Sequence, residues 1–152
     1  MFKGIDKMQE LPHHYKVTAS AQSEGNIALT GEGLPTIITA PPAEYGGPGD
    51  LWSPETLFVG SISDCFILSF RAIARASKLP WISLECVANG TLERVERTTK
   101  FTTITIKAIV HVPAGTDVDK ARRLMEKSEE SCLITRSMTA TVHLDAEVFI
   151  KA

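Results

Sequence analysis

SPETLFVGSISDCFILSFRAIARASK, residues 53–78, decides how the rest of the chain must be arranged. Ser53 is a suitable N-cap, Pro54 suits the first helical position, and Glu55 favours the positive end of a helix dipole. Beyond Pro54 no further proline interrupts the run up to about Lys78, and Gly60 is its one glycine and a candidate break. Phe58, Ile62, Cys65, Ser69 and Ile73 recur at helical spacing. A straight helix of that length spans roughly 36 Å at 1.5 Å per residue. A globule of this size is only about 38 Å across. Most of the circumference is small or apolar, so the stretch reads as a buried central helix.

Upstream, residues 41–54, PPAEYGGPGDLWSP, contain four prolines and three glycines and read as a loop. Before it, residues 15–22 put Tyr15, Val17, Ala19 and Ala21 on one face and Lys16, Thr18, Ser20 and Gln22 on the other, the alternation of a strand. Turns at Glu24-Gly25-Asn26 and Gly31-Glu32-Gly33 lead into strands at 27–30 and 35–40.

Downstream, Ile82, Leu84, Cys86, Ala88 and Leu92 share one strand face. Arg97-Thr98-Thr99-Lys100 reads as a hairpin connection into a strand whose apolar face is Ile104, Ile106, Ala108, Val110 and Val112. Thr116-Asp117-Val118-Asp119 has the capping character of a second helix, with Val118, Ala121, Met125, Ser128 and Cys132 on one stripe. A last strand over 140–150 turns Ala140, Val142, Leu144, Ala146, Val148 and Ile150 inward. The order is βββ-α-ββ-α-β, which predicts an α+β fold of antiparallel strands around a long central helix.

The 152 residues read as one domain, with 1–14 as an N-terminal extension. The net charge of −2 gives no reason to expect a nucleic-acid partner. Ser, Asp and Arg interrupt the apolar stretches, so no membrane partner is expected. MFKGIDKMQELPHHYK carries charges within its first ten residues and lacks the continuous apolar core of a signal peptide. Three cysteines without an export signal suit a reducing, cytoplasmic compartment, and an odd number cannot all pair internally.

Cys65 lies on the long helix with Ser61 and Ser69 four residues to either side, a polar lane on an apolar rod. Hydroxyls within reach of a half-buried cysteine suit a nucleophile whose thiolate is held by hydrogen bonds. Taken alone, Cys65 and Cys132 read more readily as small core residues. Cys86, on an apolar strand face, reads as packing. His13, His14, His111 and His143 lack the spacing of a zinc site, and no metal is expected. Trp52 and Trp81 flank the helix and read as packing or as the wall of an apolar pocket.

Read together, these residues resemble the OsmC/Ohr family of thiol-dependent hydroperoxide reductases. The features are the loop GGPGDLW, the helix start SPETL with Cys65 ten residues beyond Glu55, and SCLITRSM around Cys132 before the terminal strand. The resemblance covers about residues 15–150 and includes the element order. It implies an interwoven homodimer with the active sites at the interface. Cys65 would be the peroxidatic thiolate attacking an organic hydroperoxide, and Cys132 the resolving thiol that closes a disulfide. An external dithiol would reduce that bond, and no cofactor is needed. Glu55 would be the carboxylate that orients an arginine.

Two features depart from the family pattern. No arginine precedes Arg71, and Gln22, Ser23 and Glu24 stand where the first hairpin would carry one. Asp64, an acid, immediately precedes Cys65. Arg136, four residues after Cys132, is a candidate source of positive charge or a surface residue. The alternative function is a dimeric small-ligand-binding member of the family with little or no catalysis.

Overall fold

The computed structural model describes residues 8–152, so the first seven residues of the expected extension lie outside the described residues. The chain divides into two compact units, one ending at Pro54 and one running Glu55–Ala152. In the first, β1 (Thr18–Ser20), β2 (Ile27–Thr30) and β3 (Ile37–Thr39) form an antiparallel sheet in sequence order. The first strand is far shorter than the alternation over 15–22 suggested. Tyr15 and Val17 are exposed, so their face covers no core that would reward a longer ladder. The proline- and glycine-rich loop contains one 3-10 turn, Ala43–Tyr45.

The second unit is built on α1 (Pro54–Ala76), β4 (Ser83–Val95), β5 (Thr98–Pro113), α2 (Val118–Glu130), α3 (Leu133–Arg136) and β6 (Thr141–Lys151). The α+β class and the expected order are present, with α3 as an addition. β4 and β5 pair antiparallel through a two-residue turn at Glu96-Arg97, one step earlier than expected. Both turn residues have positive φ, 48° and 73°, the mirror-image turn that matches strand twist.

The antiparallel expectation needs one correction, because β6 runs parallel to β5, from Thr103↔Thr141 to Pro113↔Lys151. The reason is the connection. α2 carries the chain back along the sheet, so the next strand starts at the same end as the last.

Ile104, Ile106, Ala108, Val110 and Val112 of β5 are all fully buried, as their alternation requires. Against that row pack Ala121, Leu124 and Met125 of α2 and one stripe of α1, Ile62, Phe66, Phe70 and Ala74. Asp117 caps α2, its side chain accepting from the Lys120 amide. Burying Phe66 and Phe70 is worth about 1.5–3 kcal/mol each. Phe70 meets Trp81 edge to face at 5.5 Å, and Phe58 stacks on Phe101 at 4.8 Å. At Gly90 a Cβ would lie 2.8 Å from Val59 Cγ2 and 2.9 Å from Phe101 Cε1, so the missing side chain lets α1 sit close on β4.

Two expectations about α1 fail. It is not buried all round, since only that one stripe is buried and Leu68 is 53% exposed. The helix is also long and apolar enough, by length and composition, to cross a membrane. Asp64 and Arg71 do too little to offset the leucine, isoleucine, valine and phenylalanine around them. The folded chain uses the helix otherwise, seating its phenylalanines on the sheet.

Candidate functional site

The buried stripe of α1 lies one position away from the one that spacing suggested, and this places Cys65. Ile62 and Phe66 take the core, which leaves Cys65 on the flank, half-buried, with Ser69 one turn further along. Cys65 Sγ lies 3.9 Å from Ser69 Oγ. Ser61, the other hydroxyl of the expected lane, instead donates to the Phe58 carbonyl at 2.6 Å. Asp64 is exposed to solvent.

Cys132 is fully buried. It does not belong to the α2 stripe, because α2 ends at Glu130 and Cys132 occupies the N-cap position of α3. Its carbonyl accepts from the Arg136 amide at 3.1 Å and the Thr135 hydroxyl at 3.2 Å. Its side chain makes no cap bond. The first-turn amides of a helix have no partner within the helix. Here the Ile134 amide and the Cys132 thiol lie near enough to Cys65 to act on its ionisation. The fold therefore brings the two cysteines, distant in sequence, close enough to influence each other.

Burial pushes the Cys65 thiol above its ordinary value, and the Cys132 thiol, by hydrogen bond and charge, pushes it further. The Ile134 amide and the Ser69 hydroxyl pull the other way, since both stabilise a thiolate. No guanidinium is among the groups that act on Cys65. Arg136 is exposed, and its Nε donates to the Glu130 carbonyl.

Glu55 is not brought to the thiol along this helix. α1 continues unbroken through Gly60, so ten residues hold the carboxylate about 15 Å away. Its Oε1 is buried and has no hydrogen-bond partner among the described residues. Trp81 packs on Phe70, and His111 hydrogen-bonds with Ser83 at 3.3 Å, so both serve the sheet.

Cys86 sits on the inner face of β4, opposite Ala108, half-buried and packed against the core. Burial, with a contribution from Cys132, pushes its thiol up to about 12. At any pH below 9 it should hold about three orders of magnitude less thiolate than a free cysteine. Brief alkylation of the native protein at pH 8, followed by peptide mapping, should label Cys65 first and leave Cys86 intact. Labelling of Cys86 ahead of Cys65 would mean that its strand face is open.

The site residue that sequence reading missed is Ile134, whose contribution is a main-chain amide. The one available signal was indirect. A cysteine at an N-cap position is a poor cap, so it leaves a first-turn amide free for another acceptor.

The OsmC-like protein family model matches residues 47–147, which include the later part of the loop, Glu55, Cys65, Cys132 and most of the second sheet. The uncharacterized protein YmaD of Bacillus subtilis (strain 168) is 30% identical over 149 residues, covering 91% of this chain and 95% of that protein. Among solved structures, an OsmC-like protein of unknown function from Vibrio cholerae has a TM-score of 0.80 at 18% identity, covering 89% of this chain and 99% of its own. An organic hydroperoxide resistance protein OsmC from Legionella pneumophila has a TM-score of 0.72 at 22% identity, covering 92% and 99%. At those identities the structures establish a shared fold. With the family match across both cysteine segments and a relative aligned along nearly its whole length, the chain belongs to the OsmC-like protein family.

Proposed function

We propose that the protein is a thiol-dependent peroxidase that reduces organic hydroperoxides at Cys65 and closes a Cys65–Cys132 disulfide. The observation that carries this reading is the proximity of a half-buried and a fully buried thiol that act on each other. In the first step the Cys65 thiolate attacks the distal peroxide oxygen. An S–O bond forms, the O–O bond breaks, and the alkoxide takes a proton and leaves as the alcohol. Cys132 sulfur then attacks the sulfenic sulfur; the S–S bond forms and the hydroxyl departs as water with the Cys132 proton. An external dithiol returns both thiols by exchange. The sulfur atoms carry every electron, and no cofactor enters. The name of the Legionella relative is in keeping with this substrate class.

The test is stoichiometric. One equivalent of an alkyl hydroperoxide should remove two thiols per chain, mapping should find Cys65 linked to Cys132, and a dithiol should restore both. If hydroperoxide leaves the thiol count unchanged, the small-ligand-binding reading takes its place. That reading draws on the upward-shifted Cys65 thiol and the lack of a guanidinium acting on it.

The same proposal includes an interwoven homodimer. Leu68 and Leu133 are 53% and 67% exposed on elements that carry the two cysteines. A second copy would cover both. Sedimentation should give a dimer at micromolar concentration; a stable, folded monomer would count against it.

A further inference from the structure

We infer that Ser69 is a catalytic hydroxyl, which donates to the Cys65 thiolate and takes over part of the stabilisation that a guanidinium would otherwise give. The inference deepens the peroxidase reading and rests on it for the identity of the reaction. Its structural basis is independent of that reading.

Three observations carry it. Ser69 Oγ is 3.9 Å from Cys65 Sγ, one helical turn away on the same unbroken helix. Separation by four residues stacks two side chains on one face, so α1 itself fixes the approach. The second observation is the behaviour of the other serines on α1. A helical serine usually satisfies its hydroxyl by bonding back to a carbonyl of the preceding turn. Ser61 does this to Phe58 and Ser63 to Gly60, at 2.6 and 3.0 Å. Ser69 makes its contact with sulfur. The third is the composition around Cys65. Cys132 and burial both favour the neutral thiol, and the Ile134 amide is the other donor on the opposing side. The amide is fixed by the backbone, so among the described residues that act on Cys65, Ser69 is the side chain whose hydroxyl can rotate to follow the proton.

The chemistry is a redistribution of one hydrogen. While Cys65 is protonated, the hydroxyl and thiol share a long contact in which either can donate. When Cys65 ionises, sulfur becomes a charged acceptor and the Ser69 O–H turns to it, forming a charge-assisted bond stronger than the contact it replaces. No redox partner is needed for this step, so it is measurable without hydroperoxide.

The test measures Cys65 alkylation by iodoacetamide against pH in the full-length reduced protein, with peptide mapping to isolate the Cys65 signal. Ser69→Ala should slow alkylation at pH 8 by about tenfold, the loss of one hydrogen bond to a charged acceptor, and move the rise of the profile to higher pH. Ser69→Thr keeps the hydroxyl and should restore most of the rate. Ser61→Ala, which removes a hydroxyl bonded to a carbonyl, should leave the profile in place. A purely structural role for Ser69 would change stability without moving the pH profile. A Ser69→Ala profile that superimposes on the parent's overturns the inference, as does a loss of rate that Ser69→Thr fails to recover. Hydroperoxide consumption, measured separately, keeps the two readings apart. A shifted alkylation profile without consumption would retain Ser69 and remove the peroxidase; consumption with an unmoved profile would do the reverse.

Discussion

Replacing Cys65 with serine should reduce hydroperoxide consumption to the uncatalysed background. A serine hydroxyl is not ionised near neutral pH, and its oxygen cannot form the sulfenic acid on which turnover depends. The fold should tolerate the change, because Cys65 is half-buried on the flank of α1 while the core stripe runs through Ile62, Phe66, Phe70 and Ala74. Removing Cys132 should act differently. The first oxidation at Cys65 should survive, but the sulfenic acid, with no thiol to trap it, should gain a second oxygen under excess peroxide and become irreversible. Cys132 is fully buried, so a serine there would bury a hydroxyl at a cost of about 1–3 kcal/mol. Cys132→Ala is the cleaner variant, and mass spectrometry of the Cys65 peptide is the readout. The pH dependence also has a defined sign. Burial and Cys132 favour the protonated thiol, so the parent's rate should still be rising with pH at 9.0, where an ordinary cysteine is half-ionised. A Cys65→Ser variant as fast as the parent would end the enzymatic reading.

The parts of the fold that were legible share one property: each rests on a periodicity with a single physical meaning. Ile104 to Val112 place β-branched or small apolar residues at every second position, with Thr105, Lys107 and His111 among the residues between, and all five inward positions are fully buried. α1 was legible because Ser53-Pro54-Glu55 marks its start and no proline follows. What was not legible depends on information that alternation does not hold. A strand pattern reports which face is buried but says nothing of direction, so the parallel pairing of β6 with β5 follows from the α2 crossover alone. Cysteine and serine are ambivalent between core and polar lane, which is why the α1 stripe was placed one position off. That shift matters for the site. On the true stripe Phe66 and Phe70 fill the core, and Cys65 and Ser69 are freed to face Cys132 and the Ile134 amide. Likewise, helical spacing carried Cys132 onto α2, whereas the chain turns after Glu130 and presents it from the start of α3.

Phe70→Ala should be the most destabilising single truncation on α1. Phe70 is fully buried, lies midway along the core stripe between Phe66 and Ala74, and holds Trp81 edge to face at 5.5 Å. Phenylalanine-to-alanine changes in such positions cost about 3–5 kcal/mol, transfer and cavity together. Against a typical total of about 5–15 kcal/mol, that is a large share. The aromatic pair with Trp81 adds to the loss, because the indole would face the cavity. Phe70→Leu keeps most of the volume and should recover more than half of it. The midpoint of urea unfolding, compared at one fixed protein concentration, measures both. Leu68→Ala supplies the contrast from the same helix. Leu68 is 53% exposed, so in a lone chain its truncation should shift stability by about 0.5 kcal/mol or less. A larger loss for Leu68, growing as the protein is diluted, is what a second copy seated on that face would produce. The Phe70 effect has a further consequence for the chemistry, since Cys65 rides on the helix that Phe70 anchors. Below the unfolding transition, Phe70→Ala should close the Cys65–Cys132 disulfide more slowly than the parent, because an α1 free to shift on the sheet spends less time with its thiol against Cys132. An unchanged midpoint would show that the stripe through Phe70 does not hold α1, and the placement of Cys65 would need another cause.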